Sequence, residues 1–359
     1  MIIVDWVIAF LLSAFTSLAV TPLIKIVAFK LKCVDQPDNN RKKHERTTAS
    51  MGGLAIFIGV AVGFLYLQPF APQMTAIIIG AVIMLLTGLL DDIFNLKPIV
   101  KLAGQTAAAI VVASSGLVIE KLTIPFFGTV YLEEIGILIT ILWIVGASNA
   151  INLIDGLDGL AAGVSAIAVS SILVMAILDY RIVVISLCVI LIGGCIGFLF
   201  HNFYPARIFM GDTGALFLGY SIAVISMLGL FKNVALFSFI IPIIVIALPI
   251  FDTVLAIIRR MMKREGIATA DREHIHYRLI KMGYSHKTSV LILYGFSAFF
   301  GVLAITFSSG ALLSSAITMI ILVIGIQLIS ELAGIAINGR QPILDSIRKI
   351  IRIRKVKKG

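Results

Sequence analysis

Residues 149–160 read NAINLIDGLDGL. Asn149, Asn152, Asp155 and Asp158 recur at every third position, so a helix through them carries a slowly drifting face of amides and carboxylates. Gly156 and Gly159 make a neighbouring small face that lets a ligand or a second helix approach the backbone. Oxygen donors of this kind suit a hard cation such as Mg²⁺, which binds through one or two carboxylates and shares its other positions with water and phosphate oxygens. The competing explanation is capping, with Asp158 as the N-cap of a following helix. Capping accounts for one acid and leaves the rest of the polar face unexplained.

Other stretches add compatible chemistry. Asp91-Asp92-Ile93-Phe94-Asn95 is followed by Lys97 and Lys101. Two adjacent carboxylates repel unless a cation or proton intervenes, and on a helix Asp91 and Asn95 share a face. Residues 200–214, FHNFYPARIFMGDTG, carry Asn202, a phosphate-type donor in Arg207, an aromatic in Phe209 and an acid in Asp212 between glycines. Residues 271–278, DREHIHYR, alternate His274, His276 and Arg278, which an extended strand would point one way. No further Cys or His lies nearby to complete a zinc site, so this row suits an anion such as phosphate better. The basic loop 30–50, with Lys43 and Arg46, runs into Met51-Gly52-Gly53, where close ligand approach is one reason for paired glycines.

The elements that position these groups belong to a membrane protein. Of 359 residues, 60% are hydrophobic and 13% charged, and the mean hydropathy is +1.08. Soluble domains average about 45–50% apolar and about 25% charged. Apolar runs are too long and continuous for barrel strands, so the expected fold is an all-α polytopic bundle. Eleven apolar segments can be drawn: 2–31, 51–69, 73–90, 98–118, 133–151, 159–178, 182–200, 213–231, 234–258, 288–308 and 311–330. Pro242 and Pro249 predict a kink or break in the ninth. Pro98 suits the first turn of its helix. The first segment lacks a basic leader and a small-residue cleavage site, and reads as a retained helix. Alternation around Phe127-Gly128 predicts a short external hairpin within 119–132.

Sidedness follows from the basic residues. Of the 29 Lys and Arg, all but Lys121, Arg181 and Lys232 fall on one set of alternate connections, their adjoining helix ends and the tail. Positive charge stays cytoplasmic, so the N-terminus is expected outside, and the tail and the motifs inside. Residues 1–330 then form one catalytic membrane domain. The tail 331–359, ending IRKIIRIRKVKKG, reads as a surface-associated basic anchor. The net charge of +10 faces lipid headgroups and an anionic substrate, and nothing suggests nucleic acid. Cys33, Cys188 and Cys195 are too scattered for a disulfide framework or a metal pair. Small faces such as Gly193-Gly194 and Gly197 suit packing within one chain or between copies in a homodimer. A secondary transporter would string ionisable groups through the bilayer. Here they crowd one face, which favours an enzyme, and a structural scaffold leaves the polar face without a purpose.

Taken in order, the RKKH…MGG loop, DDIFN, NAINLIDGLDGLA, NFYPARIFMGDTG and HIHYR resemble the polyprenyl-phosphate N-acetylhexosamine-1-phosphate transferases. The resemblance covers nearly the whole chain. It implies transfer of a sugar 1-phosphate from a UDP-sugar to a lipid phosphate, releasing UMP, with Mg²⁺ as cofactor and Mn²⁺ as its chemical substitute. By the same resemblance Asn152 and Asp212 look like metal contacts, and Phe209 like an aromatic that stacks on uracil. Asp155, Gly156 and Asp158 look like nucleoside contacts. Lys101 resembles a phosphate-gripping lysine, and His274, His276 and Arg278 resemble sugar-phosphate and diphosphate contacts. Asp91 and Asp92 resemble an acidic pair that activates the lipid phosphate. Lys43, Arg46, Asn149, Asn202 and Arg207 complete the expected substrate contacts. HIHYR is similar to the His-x-His-His of the N-acetylglucosamine branch, with Tyr277 as a departure, and not to the triple histidine of the muramoyl-pentapeptide branch. Ala49 stands where a proline is common. The implied substrates are UDP-GlcNAc and undecaprenyl phosphate, at the first membrane step of a cell-envelope glycopolymer such as teichoic acid or O-antigen. Phospho-MurNAc-pentapeptide transfer is the alternative.

Overall fold

The computed structural model describes residues 2–35, 47–124, 128–230, 240–263, 273–308 and 312–332. Within them the chain is helical apart from two small hairpins. The helices are α1 (Ile2–Lys30), α2 (Gly53–Leu67), α3 (Met74–Phe94), α4 (Pro98–Ser114), α5 (Ile135–Ile154), α6 (Leu160–Leu178), α7 (Ile182–Asn202), α8 (Gly211–Leu230), α9 (Ile240–Val245), α10 (Ala247–Lys263), α11 (Ile275–Lys281), α12 (His286–Ser308) and α13 (Leu312–Leu332). Every expected apolar segment coincides with a helix or helix pair. By length and composition, α1, α3, α5, α6, α7, α8 and α12 can each cross a bilayer, while α2, α4 and part of α13 are shorter apolar helices. Large apolar side chains such as Phe15, Leu23, Ile99 and Leu142 project outward from them, which suits a hydrocarbon solvent and not water.

The ninth segment is broken, as its prolines require. Pro249 has no N–H, and its ring crowds the carbonyl four residues back, at Val245. The helix accordingly ends at Val245 and restarts at Ala247. The second piece, α10, is amphipathic. Its Val254, Ile258, Met261 and Met262 are exposed, whereas Asp252, Arg259 and Arg260 are buried.

α8 lies at the centre, against α2, α3, α5, α6 and α7. In α8, 78% of the apolar span is buried, against 28% in α1 at the periphery. Glycines set the helix spacing. A Cβ on Gly193 would stand 2.6 Å from the Phe10 carbonyl of α1, and one on Gly194 3.1 Å from Val60 of α2. Gly197 is equally pressed onto Ala14. These small faces therefore pack within the chain.

The expected hairpin is present. β3 (Lys121–Ile124) pairs antiparallel with β4 (Gly128–Tyr131), Lys121 opposite Tyr131 and Ile124 opposite Gly128; Phe127 itself lies outside the described residues. A second hairpin was not anticipated: β1 (Val34–Asp35) pairs with β2 (Thr48–Ala49) at the two ends of the basic loop. Lys43 and Arg46, within that loop, and the tail from 333 onward also lie outside the described residues.

Candidate active site

The chemistry-bearing motifs meet at one end of the bundle. Lys101, one turn into α4, sets its ammonium between acids from two other helices. Its Nζ stands 3.2 Å from Asp91 Oδ2 of α3 and is ion-paired with Asp212 of α8. Asn152, in the last turn of α5, completes the cluster. With its amide oxygen facing the ammonium, Asn152 accepts from Lys101 at 2.8 Å and donates to Asp212 at 3.0 Å. Four helices thus contribute one side chain each to a cluster in which acid, amide and cation alternate.

Asp92 has a different job from Asp91. Its carboxylate accepts the backbone N–H groups of Asp212 at 2.9 Å and Thr213 at 3.0 Å, and the Thr213 hydroxyl at 2.6 Å. Ser50 donates more distantly, at 3.4 Å. These are the orphan donors of the first turn of α8, so Asp92 caps that helix from across the bundle. Asp91 accepts the Leu96 N–H at 2.8 Å. Asn95 leaves the helix as a left-handed C-cap, φ 50°, so the expected shared face of Asp91 and Asn95 does not form.

The glycines make this junction possible. Gly211 has φ 70° and lies against the Asp92 carboxylate. Gly53 lies backbone to backbone on Gly214, and a Cβ on Gly52 would reach the Phe209 carbonyl at 2.6 Å. Backbone hydrogen bonds stitch the same surfaces: Phe209 N to Ala49 O, Gly52 N to Phe209 O and Gly53 N to Met210 O, at 2.8–2.9 Å. The Met-Gly-Gly motif therefore lets the start of α2 abut the start of α8.

The stretch 149–160 is not one helical face. α5 ends at Ile154 and Asp155 is its C-cap, because Gly156 and Gly159 (φ 76°) break the helix. Its polar groups disperse. Asn149 donates to Gln105 of α4 at 2.6 Å and to the Val145 carbonyl at 2.8 Å. Asp155, partly shielded in the turn, has its pKa pushed up to about 7 by burial and then by the charges of Asp92 and Asp158. Asp158 does not cap α6, whose N-cap is Gly159. It accepts the Ala206 N–H at 2.9 Å and thereby holds the 203–210 loop. Asn202 steadies the same loop by donating to the Ile208 carbonyl at 2.9 Å. Arg207 is exposed on it. Phe209 is half-buried and fixed through its backbone.

Residues 275–278 are helical, not extended, so His274, His276 and Arg278 do not line one edge. His274 is the N-cap residue of α11. His276 is 1% exposed, its ring stacked on His274 at 5.7 Å. The Nε2 edge of His276 presses on Gly156, where a Cβ would collide, so the small residue admits a histidine of α11. Among the described residues neither ring nitrogen of His276 has a hydrogen-bond partner. Burial drives its pKa down to about 4, with Asp252 opposing and His274 and His286 assisting. Arg278 donates to the Leu332 carbonyl of α13 at 3.2 Å.

Two residues escaped the sequence reading. Gln105 pairs with Asn149. Asp252, 2% exposed, accepts from the Ile275 N–H at 3.0 Å and faces His274 Nδ1 at 2.9 Å. A signal for it existed: an acid in the middle of an apolar segment is expensive and marks a partner.

Among the described residues no three His, Cys, Asp or Glu side chains converge as a metal-ligand set, which argues against a closed zinc-type centre. The cluster does fit a hard divalent cation. Asp212 and the Asn152 amide oxygen both turn toward one point, and the Lys101 ammonium stands there as a built-in cation.

A multi-pass helical bundle with a carboxylate–amide–lysine cluster at one end defines a membrane protein equipped to handle phosphates. The model of Glycosyl transferase family 4 matches residues 74–230, the span from α3 to α8. A Bacillus subtilis (strain 168) protein described as a probable undecaprenyl-phosphate N-acetylglucosaminyl 1-phosphate transferase is 45% identical over 350 residues, covering 96% of this chain and 97% of its own length. The decaprenyl-phosphate N-acetylglucosaminephosphotransferase of Mycolicibacterium smegmatis is 34% identical over 326 residues, with 81% and 80% covered. A phospho-N-acetylmuramoyl-pentapeptide-transferase of Lactobacillus helveticus matches at 35% over 208 residues, 53% of this chain and 65% of its own. The chain belongs to the polyprenyl-phosphate N-acetylhexosamine-1-phosphate transferases of this family, and it is a glycosyl-1-phosphate transferase.

Proposed function

We propose that the enzyme transfers N-acetylglucosamine 1-phosphate from UDP-GlcNAc to undecaprenyl phosphate, releasing UMP, at the first membrane step of a cell-envelope glycopolymer. The observation that carries this reading is the convergence of Asp91, Lys101, Asn152 and Asp212 from four helices. The relatives that cover most of the chain carry names of the N-acetylglucosamine branch, and the muramoyl-pentapeptide relative covers about half of it. In this reading eleven spans cross a plasma membrane, the broken α9–α10 pair counting as one. The N-terminus is outside and the site faces the cytoplasm, supported by the sided Lys and Arg.

The residues divide the work as follows. Asp212 and Asn152 would hold Mg²⁺, with Mn²⁺ as substitute; when bound, the cation neutralises diphosphate charge and eases departure of UMP. Lys101 grips a phosphate oxygen once the substrate replaces its present carboxylate partners. The lipid phosphate oxygen attacks the β-phosphorus in line, and the P–O bond to UMP breaks. Asp91, beside Lys101, accepts the proton of an incompletely ionised lipid phosphate. Asp92 stays with the start of α8 and holds Asp212 in place. In this reading His274, His276 and Arg278 serve the sugar phosphate, and Phe209 and Asp155 the nucleoside.

The test is UMP release by purified protein in detergent with Mg²⁺ and undecaprenyl phosphate. Release is expected with UDP-GlcNAc and only with the lipid present. Release with UDP-MurNAc-pentapeptide in its place would move the enzyme to the other branch. Lipid-independent release would sink the reaction as written.

A further inference from the structure

The buried Asp252 carboxylate needs a reason. It sits within the apolar half of α10, where an uncompensated charge costs several kcal/mol, yet both of its oxygens are committed to the start of α11. Oδ1 accepts the Ile275 N–H at 3.0 Å and Oδ2 lies 2.9 Å from His274 Nδ1. A carboxylate can only accept, so the proton of that second bond belongs to Nδ1 of His274. The hydrogen bond at one ring nitrogen sets the state of the other. Nε2 is then the nitrogen left to meet a ligand.

The surroundings sharpen the distinction between the two histidines. His274 and His276 stack with their planes 6° apart. His276 has no partner on either nitrogen among the described residues, and Gly156 of the 155–159 turn abuts its edge. Two stacked rings do not readily both carry charge, and of the two it is His274 that hydrogen-bonds the Asp252 carboxylate. His286 lies near enough to His276 to disfavour charge there as well, and Arg278 is on the same short helix.

We infer that Asp252 is a positioning residue of the transferase: it fixes the tautomer and orientation of His274, so that Nε2 is presented to the sugar diphosphate and can hold a positive charge there. This rests on the reading that His274 contacts the donor substrate. Asn offers one acceptor oxygen where Asp offers two, and its NH₂ turned toward His274 would impose the opposite tautomer.

The experiment is a double-mutant cycle on the full chain with Asp252→Asn and His274→Asn, following UMP release from pH 5.5 to 9 and the thermal transition of each variant. Asp252→Asn is expected to lower kcat by about 10- to 100-fold, the scale seen when the partner behind a functional histidine is lost. KM for UDP-GlcNAc should change far less, and the basic limb of the kcat profile should move to lower pH. The effect should vanish in the His274→Asn background, because a positioning residue has nothing left to position. Losses that multiply in the double variant, or an unmoved pH profile, would overturn the inference and leave Asp252 a structural cap. Wild-type turnover in His274→Asn would overturn the underlying reading of His274 instead. Should Asp252→Asn yield no folded protein, Asp252→Glu keeps the charge on a longer arm and serves in the same cycle, with its loss again required to vanish beside His274→Asn.

Discussion

Replacing Asp92 with asparagine tests how the acidic pair divides its work. The Asp92 carboxylate takes two backbone N–H groups and one hydroxyl at the start of α8. Hydrogen bonds to a charged group contribute about 1.5–3 kcal/mol each, and a negative charge at a helix N-terminus adds up to about 2 kcal/mol. Asparagine keeps one acceptor oxygen and turns an NH₂ on the remaining donors. About half of the set survives, so the expected loss is roughly 2–4 kcal/mol. At about 2–4 °C per kcal/mol for larger chains, the melting temperature should fall by roughly 5–10 °C. Cys33, Cys188 and Cys195 are buried, so a thiol-reactive dye added in detergent reports unfolding directly. Asp91→Asn is the internal control. It retains an oxygen for the Leu96 N–H and loses mainly the Lys101 ion pair, so its melting temperature should move by less than about 2 °C while turnover falls about 10²-fold or more. Equal thermal shifts in the two variants, or an Asp92→Asn protein as heat-stable as wild type, would refute this division.

Gly53→Ala forces a methyl onto the Gly214 backbone; overpacking of this kind costs about 1–3 kcal/mol or more, and loss of folded protein on size-exclusion chromatography is the readout. Asn149 and Gln105 satisfy each other, so the Asn149→Leu/Gln105→Leu pair should keep turnover within about threefold of wild type. Asn152→Ala, by contrast, should raise the Mg²⁺ requirement; unchanged Mg²⁺ titration would remove Asn152 from the cation site. Low pH should expose His276. Its imidazole takes a proton below about 6.5 when unfolded but only near 4 when folded, so the unfolded state binds more protons between those values and stability is lost as pH drops from 6.5 to 4. A His276→Asn protein should lack this component, worth at most about 3 kcal/mol. Asp155 acts oppositely, since its folded pKa is raised to about 7: it contributes stability at low pH that is lost as pH rises through 7. Asp155→Asn should therefore be the more heat-stable protein at pH 8.5 without substrate, by an amount moderated because the side chain keeps partial contact with solvent.

Much of the architecture was legible because hydrocarbon solvent enforces long apolar helices, and proline chemistry placed the break beside Pro249. The hairpin around Gly128 was readable from alternation. Local rules failed where tertiary contacts decide. The three-residue spacing from Asn149 to Asp158 suggested one helix face, but Gly156 and Gly159 end the helix, and Asn149, Asn152 and Asp158 turn to partners on α4, α8 and the 203–210 loop. The alternation of His274, His276 and Arg278 suggested a strand, yet Asp252 receives the first backbone N–H of a helix there. The paired Gly52 and Gly53 looked like room for a ligand. Gly53 lies on Gly214, and Gly52 on Phe198 and Phe209, all far along the chain, and spacing alone does not reveal them. Asp252 was passed over because it sits between proline and isoleucine-rich stretches that read as plain membrane helix.

The capped start of α8 has a consequence for how a polyanion is received. An uncovered helix N-terminus is a ready phosphate site, but here Asp92 already fills that seat. Asp91, Asp155, Asp158 and Asp212 lie close by, with Lys101 the fixed cation among them. Under the proposed reading, a nucleotide sugar arriving bare would be turned away by this anionic mouth. On that reading the counter-charge for the diphosphate comes from Lys101 and the bound cation, and not from the helix end.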